Sequence, residues 1–208
     1  MRTFLTDALK LGVTAVVLAT GVSKAMAACG PETTLAPSKD YSFTFKVCDS
    51  SLFGTVTARA TGWVAVGFSS DQYMPATDVF MAGVLTDGTS YSQDAFAFRR
   101  VAPTPDPRQD VQLLSASELD GVTSFSFSRL LNTGDASRDY DLTSGPYYIL
   151  TAFNLSSDNL SEQHSYADSS AYTYQFAPVP EPQAVLMLLA GLGLVAGRLR
   201  RVRSVSAA

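Results

Sequence analysis

Residues 41–48 read Tyr-Ser-Phe-Thr-Phe-Lys-Val-Cys. Tyr41, Phe43, Phe45 and Val47 fall on one side of an extended chain, and Ser42, Thr44 and Lys46 on the other. A two-residue period of this kind belongs to a half-buried β-strand, because a helix would spread the same aromatics around its circumference. The run "TSFSFSRL" (123–130) repeats the pattern, with Phe125 and Phe127 against Ser124, Ser126 and Ser128. Working outward, "LFGTVTARA", "GWVAVGF", "DVFMAGVL", "TSYSQDAFAF", "VQLLSAS", "YYILTAFN" and "AYTYQF" are strand-like, and "TDG", "LDG", "NTGD" and "SGP" between them are turn chemistry. No stretch between Ala28 and Pro178 carries a sustained 3.6-residue period. Short strands at regular spacing with Gly and Pro punctuation predict an all-β domain, an antiparallel sandwich in preference to a barrel.

Both ends of the chain differ from this body. At the N-terminus, Arg2 is followed by the apolar run "LGVTAVVLATGV" and then by small residues at Ala25 and Ala27. That order predicts a secretory signal peptide over residues 1–27, cleaved after Ala27. At the other end, proline recurs through "APVPEP" and breaks any continuing strand. A stretch of 14 residues without charge, "AVLMLLAGLGLVAG", follows and is closed by "RLRRVR". Fourteen residues are marginal for a bilayer, which asks for about 20, and the basic cluster would remain on the cytoplasmic side. Val179-Pro180-Glu181-Pro182, the apolar stretch and the arginines together resemble a PEP-CTERM sorting signal over 178–208. The resemblance implies export in a Gram-negative bacterium to the periplasm, outer surface or extracellular matrix. It further implies transient anchoring through a short apolar helix, and an exosortase-type partner at the membrane.

One domain remains, residues 28–177, long enough to bury a single core. From Ala28 to Pro178 there are eight Lys and Arg against 17 Asp and Glu, a net charge of −9, whereas the whole chain carries −4. Such acidity excludes nucleic acid as an expected partner, since phosphates seek cations. The domain's two cysteines, Cys29 and Cys48, predict a disulfide in an exported protein. Cys29 also stands where a lipoprotein signal would place its lipidated cysteine, so both fates stay open.

Catalytic constellations are scarce. There is no G-x-S-x-G elbow, and the single histidine, His164, has no triad geometry to read. One His and two Cys do not make a zinc site. The acids Asp135, Asp139 and Asp141 in "GDASRDYD" read as a solvated turn. Met74 stands out, because a methionine in the polar loop "SSDQYMPATD" gains little unless it is buried or acts as a soft ligand. Thioether sulfur and imidazole nitrogen form a recognised axial pair for haem iron. Met74 and His164 lie on two polar loops, expected at one end of the sandwich. With no C-x-x-C-H motif, the haem would be b-type and non-covalent.

"GWVAVGFSSDQYMPATDVFMAGV" (Gly62 to Val84) resembles the signature segment of the DOMON family: a Gly-Trp strand, a loop carrying Met, and a strand opening with Asp. The likeness continues through "SYSQDAF", "DVQLL", "GVTSFSFSRLLNTGDASRDYDL" and "YYILTAFN", over roughly Tyr41 to Phe176. It implies an immunoglobulin-like β-sandwich. Family members divide into b-type cytochromes and domains that bind sugars or other ligands without haem. For the cytochrome branch the resemblance implies Met74 and His164 as axial ligands. Trp63 is expected to be core, and Val64 and Phe68 either line the porphyrin or, as is commoner for large residues alternating along a strand, are plain core. The leading expectation is therefore an exported haem b domain carrying single electrons, non-catalytic, serving an unidentified redox partner. The alternative is a haem-free module binding carbohydrate, such as exopolysaccharide, with Tyr73, Tyr147, Tyr148, Tyr166, Tyr172 and Tyr174 as candidate aromatic platforms.

Overall fold

The computed structural model describes residues 27–168, 172–180 and 188–193. Residues 1–26 of the expected signal peptide, and 181–187 and 194–208 of the expected sorting segment, including Glu181 and Pro182, lie outside the described residues. Residues 188–193 are helical, and no described helix is long and apolar enough to cross a membrane.

Twelve strands account for almost all regular structure among the described residues. They are β1 (Thr33–Ser38), β2 (Tyr41–Cys48), β3 (Ser51–Ala58), β4 (Val64–Ser69), β5 (Thr77–Val84), β6 (Ser90–Ala97), β7 (Thr104–Pro105), β8 (Gln112–Leu119), β9 (Val122–Leu130), β10 (Tyr147–Phe153), β11 (Tyr166–Asp168) and β12 (Thr173–Tyr174). One sheet has the order β1-β2-β3-β9-β8, the other β11-β10-β4-β5-β6-β7, with β12 also paired to β10. All pairings are antiparallel. The all-β sandwich expected from the alternation is what the chain forms.

The core lies between the sheets, built from the faces that the alternation marked. Phe43, Phe45, Leu52, Val56, Phe125 and Phe127 come from the first sheet, and Val64, Val66, Phe68, Phe80, Ala82, Ile149 and Phe153 from the second. Phe80 meets Phe125 and Phe127 at centroid distances of 5.7 and 5.4 Å. Phe176, from the C-terminal segment, packs on Phe45 and Phe68, each at 5.6 Å. Fully burying one such side chain contributes about 1.5–3 kcal/mol. Val64 and Phe68 therefore belong to this interior, the plain-core alternative for them, and line no outer site.

Cys29 and Cys48 form a disulfide with their Cα atoms 3.9 Å apart. The segment it ties down is also stitched by backbone bonds: Gly30 N donates to Val47 O and Asp49 N to Ala28 O, both at 2.8 Å. Val179 N donates to Asp49 O, so both ends of the domain close on the β2–β3 turn.

Candidate functional site

The outer face of the second sheet has an unusual composition. Residues opposite one another across the ladders share a face, which gives the rows Ala152–Ala65–Met81 and Leu150–Gly67–Val79–Ala95, then Ser69–Thr77–Ala97. An exposed antiparallel face is ordinarily polar. This one is apolar and small around its centre, with Gln93 beside Met81 and the Ser69–Thr77 pair toward its edges. It forms the floor of a cavity of about 620 Å³, within the usual range for small-molecule and cofactor pockets. Gly67 lies mid-floor; a Cβ there would approach Thr77 Cγ2 to 2.6 Å.

Three segments wall the cavity: Tyr73 and Met74 from the β4–β5 loop, Arg100 to Pro103 from the β6–β7 loop, and Leu160 to His164 from the β10–β11 loop. Met74 and His164, each half-buried, face the same cavity. They do not come from one end of the sandwich as expected. Met74 follows the C-terminal end of β4. His164 precedes β11, which runs parallel to β4 because both are antiparallel to β10. The two loops therefore rise from opposite ends of a strand roughly 20 Å long, at about 3.3 Å per residue, and reach over its outer face.

Each loop is held by its own chemistry. Met74 precedes Pro75, which biases it to an extended backbone, and Ala76 adopts a left-handed φ of 58°. Ala76 O accepts from Ser69 Oγ at 3.1 Å and from Tyr140 Oη at 2.8 Å, and Thr77 Oγ1 donates to Tyr73 O at 3.3 Å. On the His164 side, buried Asn154 is the organiser. Its Oδ1 accepts from Ser156 N and Ser157 N, and its Nδ2 donates to Gln163 O at 2.9 Å, beside His164. Ser165 N donates to Phe153 O. Gly62 permits this packing, since a Cβ would lie 2.4 Å from Ser157 O.

Trp63 is 3% exposed but is not part of the main core. It packs with Ala65 and Met81 against Leu160, on the cavity side. The reason is parity: Trp63, Ala65 and Gly67 share the outer face of the β4 segment. Its Nε1 is buried without an acceptor among the described residues. Met81 brings a second thioether to the floor, 2% exposed. Of the six tyrosines considered for a sugar platform, only Tyr73 lines the cavity. Tyr147 is core, Tyr174 packs on Phe45, and Tyr166 stacks on Phe153.

A second group of chemical interest lies between the sheets. Arg129 of β9 and Asp78 of β5 form a fully buried ion pair, and Tyr140 N donates to the same Asp78 oxygen at 3.2 Å. Asp78, Asp94 and Asp139 offer oxygens within 4.8 Å of one another, so three carboxylates share one guanidinium. Burial opposes the charge on Arg129, but Asp78, Asp139 and Asp94 outweigh it and raise its pKa. Burial, then the charges of Asp78 and Asp139, push Asp94 up to about 7. Burial and Asp78 push Asp139 up to about 6. Asp139 is thus not part of a solvated turn. Its neighbours Asp135 and Asp141 are half-buried, their pKa values lowered by bonds from Ser137 and Thr143, while Asp139 folds inward and is buried.

The DOMON domain family model matches residues 37–154, more than half of the chain, and the chain belongs to that family. Curated relatives include MOXD1 homolog 2 of Drosophila melanogaster, 29% identical over 117 residues that make up 55% of this chain and 15% of the relative. DBH-like monooxygenase protein 2 of Mus musculus is 30% identical over 112 residues, 53% of this chain and 18% of the relative. The chain thus spans less than a fifth of either. Among solved structures, the cytochrome b domain of pyranose dehydrogenase from Coprinopsis cinerea aligns with a TM-score of 0.47 and 15% identity, over 65% of this chain and 75% of that one. The cytochrome domain of Myriococcum thermophilum cellobiose dehydrogenase aligns with a TM-score of 0.46 and 18% identity, over 70% and 82%.

Proposed function

We propose that this DOMON domain binds haem b non-covalently in the outer-face cavity, with Met74 and His164 as axial ligands, and carries single electrons without catalysing a reaction of its own. The observation that carries the reading is the pairing of donors with floor. A thioether and an imidazole enter one cavity from opposite ends of β4, over an apolar floor of small residues, and Met74 and His164 are the side chains that would hold a haem there. The donor set fits the group. Haem iron held by two protein ligands changes oxidation state by one electron and offers no open position to oxygen or substrate. The chain's own contribution is to fix both loops, through Ala76 and Asn154, and to keep water from the floor. Export to the cell envelope and docking to a basic redox partner belong to the same proposal. The Cys29–Cys48 bridge supports an oxidising compartment, and the net charge of −9 suits such a partner.

The test is the absorption spectrum of the exported protein, produced with haem supplied and recorded before and after dithionite. A Soret band with sharp reduced α and β bands is expected. Met74→Leu and His164→Ala should each turn the spectrum high-spin or colourless, whereas Met81→Leu should leave it low-spin. A folded, colourless protein that takes up no added haemin overturns the reading.

A further inference from the structure

Among the described residues, one guanidinium lines the cavity wall. Arg100 stands at the mouth on the β6–β7 loop, beside the apolar Val101, Ala102 and Pro103. Its Cζ lies 5.5 Å from the centroid of the Tyr73 ring, and Tyr73 adjoins Met74. Stacking restricts the side chain and aims its fork before any ligand arrives. Among the described residues, Arg59, Arg108 and Arg129 are paired with carboxylates, while Arg100 forms no ion pair. Arg99 and Arg138 form none either, and of these three Arg100 is the one that lines the cavity. The cavity's acids, Glu162 and Asp168, come instead from the β10–β11 loop and β11, on the side of His164. The rim is therefore electrically polarised, with the cation on the Met74 side and the carboxylates on the other.

We infer that Arg100 is the anchor for an anionic substituent of the ligand in this cavity, and that the polarised rim sets the direction in which that ligand enters. The inference rests on the haem reading, in which the anionic substituents are the two propionate carboxylates. A guanidinium binds a carboxylate through parallel N–H donors. Glu162 repels the same group, so the favoured orientation joins an apolar edge on the floor to carboxylates at Arg100. Arg100 is a positioning residue here and touches no axial site.

The experiment compares haemin with haemin dimethyl ester, titrated by absorbance into the apo form of the full exported protein and of its Arg100→Gln and Arg100→Lys variants. Wild type should bind the free acid about tenfold more tightly than the ester, as a charge-assisted hydrogen bond at a partly wet rim provides. The preference should shrink as salt is raised. Arg100→Gln should bind acid and ester alike, at the strength wild type shows for the ester, while its low-spin spectrum persists because both axial ligands remain. Arg100→Lys should retain part of the preference. Wild type binding both ligands equally overturns the inference and leaves the haem reading intact. An unchanged preference in Arg100→Gln likewise overturns it. Wild type binding neither ligand means the haem reading itself has failed. The wild-type comparison needs no variant to fold.

Discussion

The second sheet has two faces made from the same strands, and they are built oppositely. Facing inward are Val64, Val66, Phe68, Phe80, Ile149 and Phe153, packed against another sheet. Facing outward are Ala65, Gly67, Val79, Ala97 and Ala152, which no second sheet covers. Large side chains on one face and small ones on the other give β4 its sequence, Val-Ala-Val-Gly-Phe-Ser. A face meant for water would carry polar side chains, and a face meant for packing would carry large ones. The outer face does neither: around Gly67 it is small and apolar, and it lines the cavity.

The sharpest way to break this comparison is to strip one large residue from the inner face. Phe80→Ala should cost about 3–5 kcal/mol, since its contacts with Phe125 and Phe127 leave a cavity that rigid sheets do not close. Urea unfolding of wild type and variant checks it. A loss below about 1 kcal/mol would mean that the two faces are not energetically distinct. The complementary change enlarges the outer face. Ala152→Leu fills the floor beside Ala65 and should alter stability by less than about 1 kcal/mol, because the added atoms enter open space. Haemin uptake, followed at the Soret band, should nevertheless be lost. Uptake that survives the larger side chain would remove the floor from the site.

The alternation that defines both faces was legible in the sequence, which also singled out Met74 and His164, two residues that the fold brings to one cavity. What escaped reading depends on which face turns inward. Along Trp63 to Phe68 both parities are apolar, so nothing local says that Val64 and Phe68 pack between the sheets while Trp63 looks outward. The large-small alternation itself was the available clue. The placement of the two loops at opposite ends of the sheet follows from the direction of β11, three residues long, which no periodicity reveals. Asp139 differs from Asp135 and Asp141 only in its environment. Asp135 and Asp141 bond hydroxyls two residues ahead, whereas Asp139 is carried inward as Tyr140 N and O bond the Asp78–Arg129 pair. That is long-range information.

The inner face is not apolar throughout, and its charged end sharpens the comparison by pH. Asp94 and Asp139 have folded pKa values of about 7 and 6, above the unfolded value of about 3.9. Their protonated forms are therefore favoured by folding. That contribution is complete below about pH 3.9 and is lost as pH rises through about 6 and then 7. Thermal unfolding should show Tm falling from pH 5 to pH 8 by several degrees, at about 2–4 °C per kcal/mol for a domain of roughly 150 residues. Asp94→Asn keeps an acceptor for Asp110 N and Val111 N and should flatten the upper part of that fall. A Tm that rises steadily over the same range would show that the cluster stays ionised.

The smallest effect lies on the Met74 loop, where the outer face meets its wall. Ala76 holds a left-handed φ of 58°, which costs a residue with a Cβ about 1–2 kcal/mol. Glycine would relieve that strain but would also free the unfolded chain, at a cost of about 0.4–1 kcal/mol. The two terms nearly cancel, so Ala76→Gly should shift stability by no more than about 1 kcal/mol. The backbone ahead of β5 would, however, lose the restriction that Ala76 and Pro75 impose together. Haemin should then dissociate faster, by about two- to threefold, as local opening of the loop becomes easier. Transfer of haemin to an excess of apomyoglobin measures that rate. An unchanged rate would mean that the bonds from Ser69 and Tyr140 to Ala76 O hold the loop without help from its strained backbone.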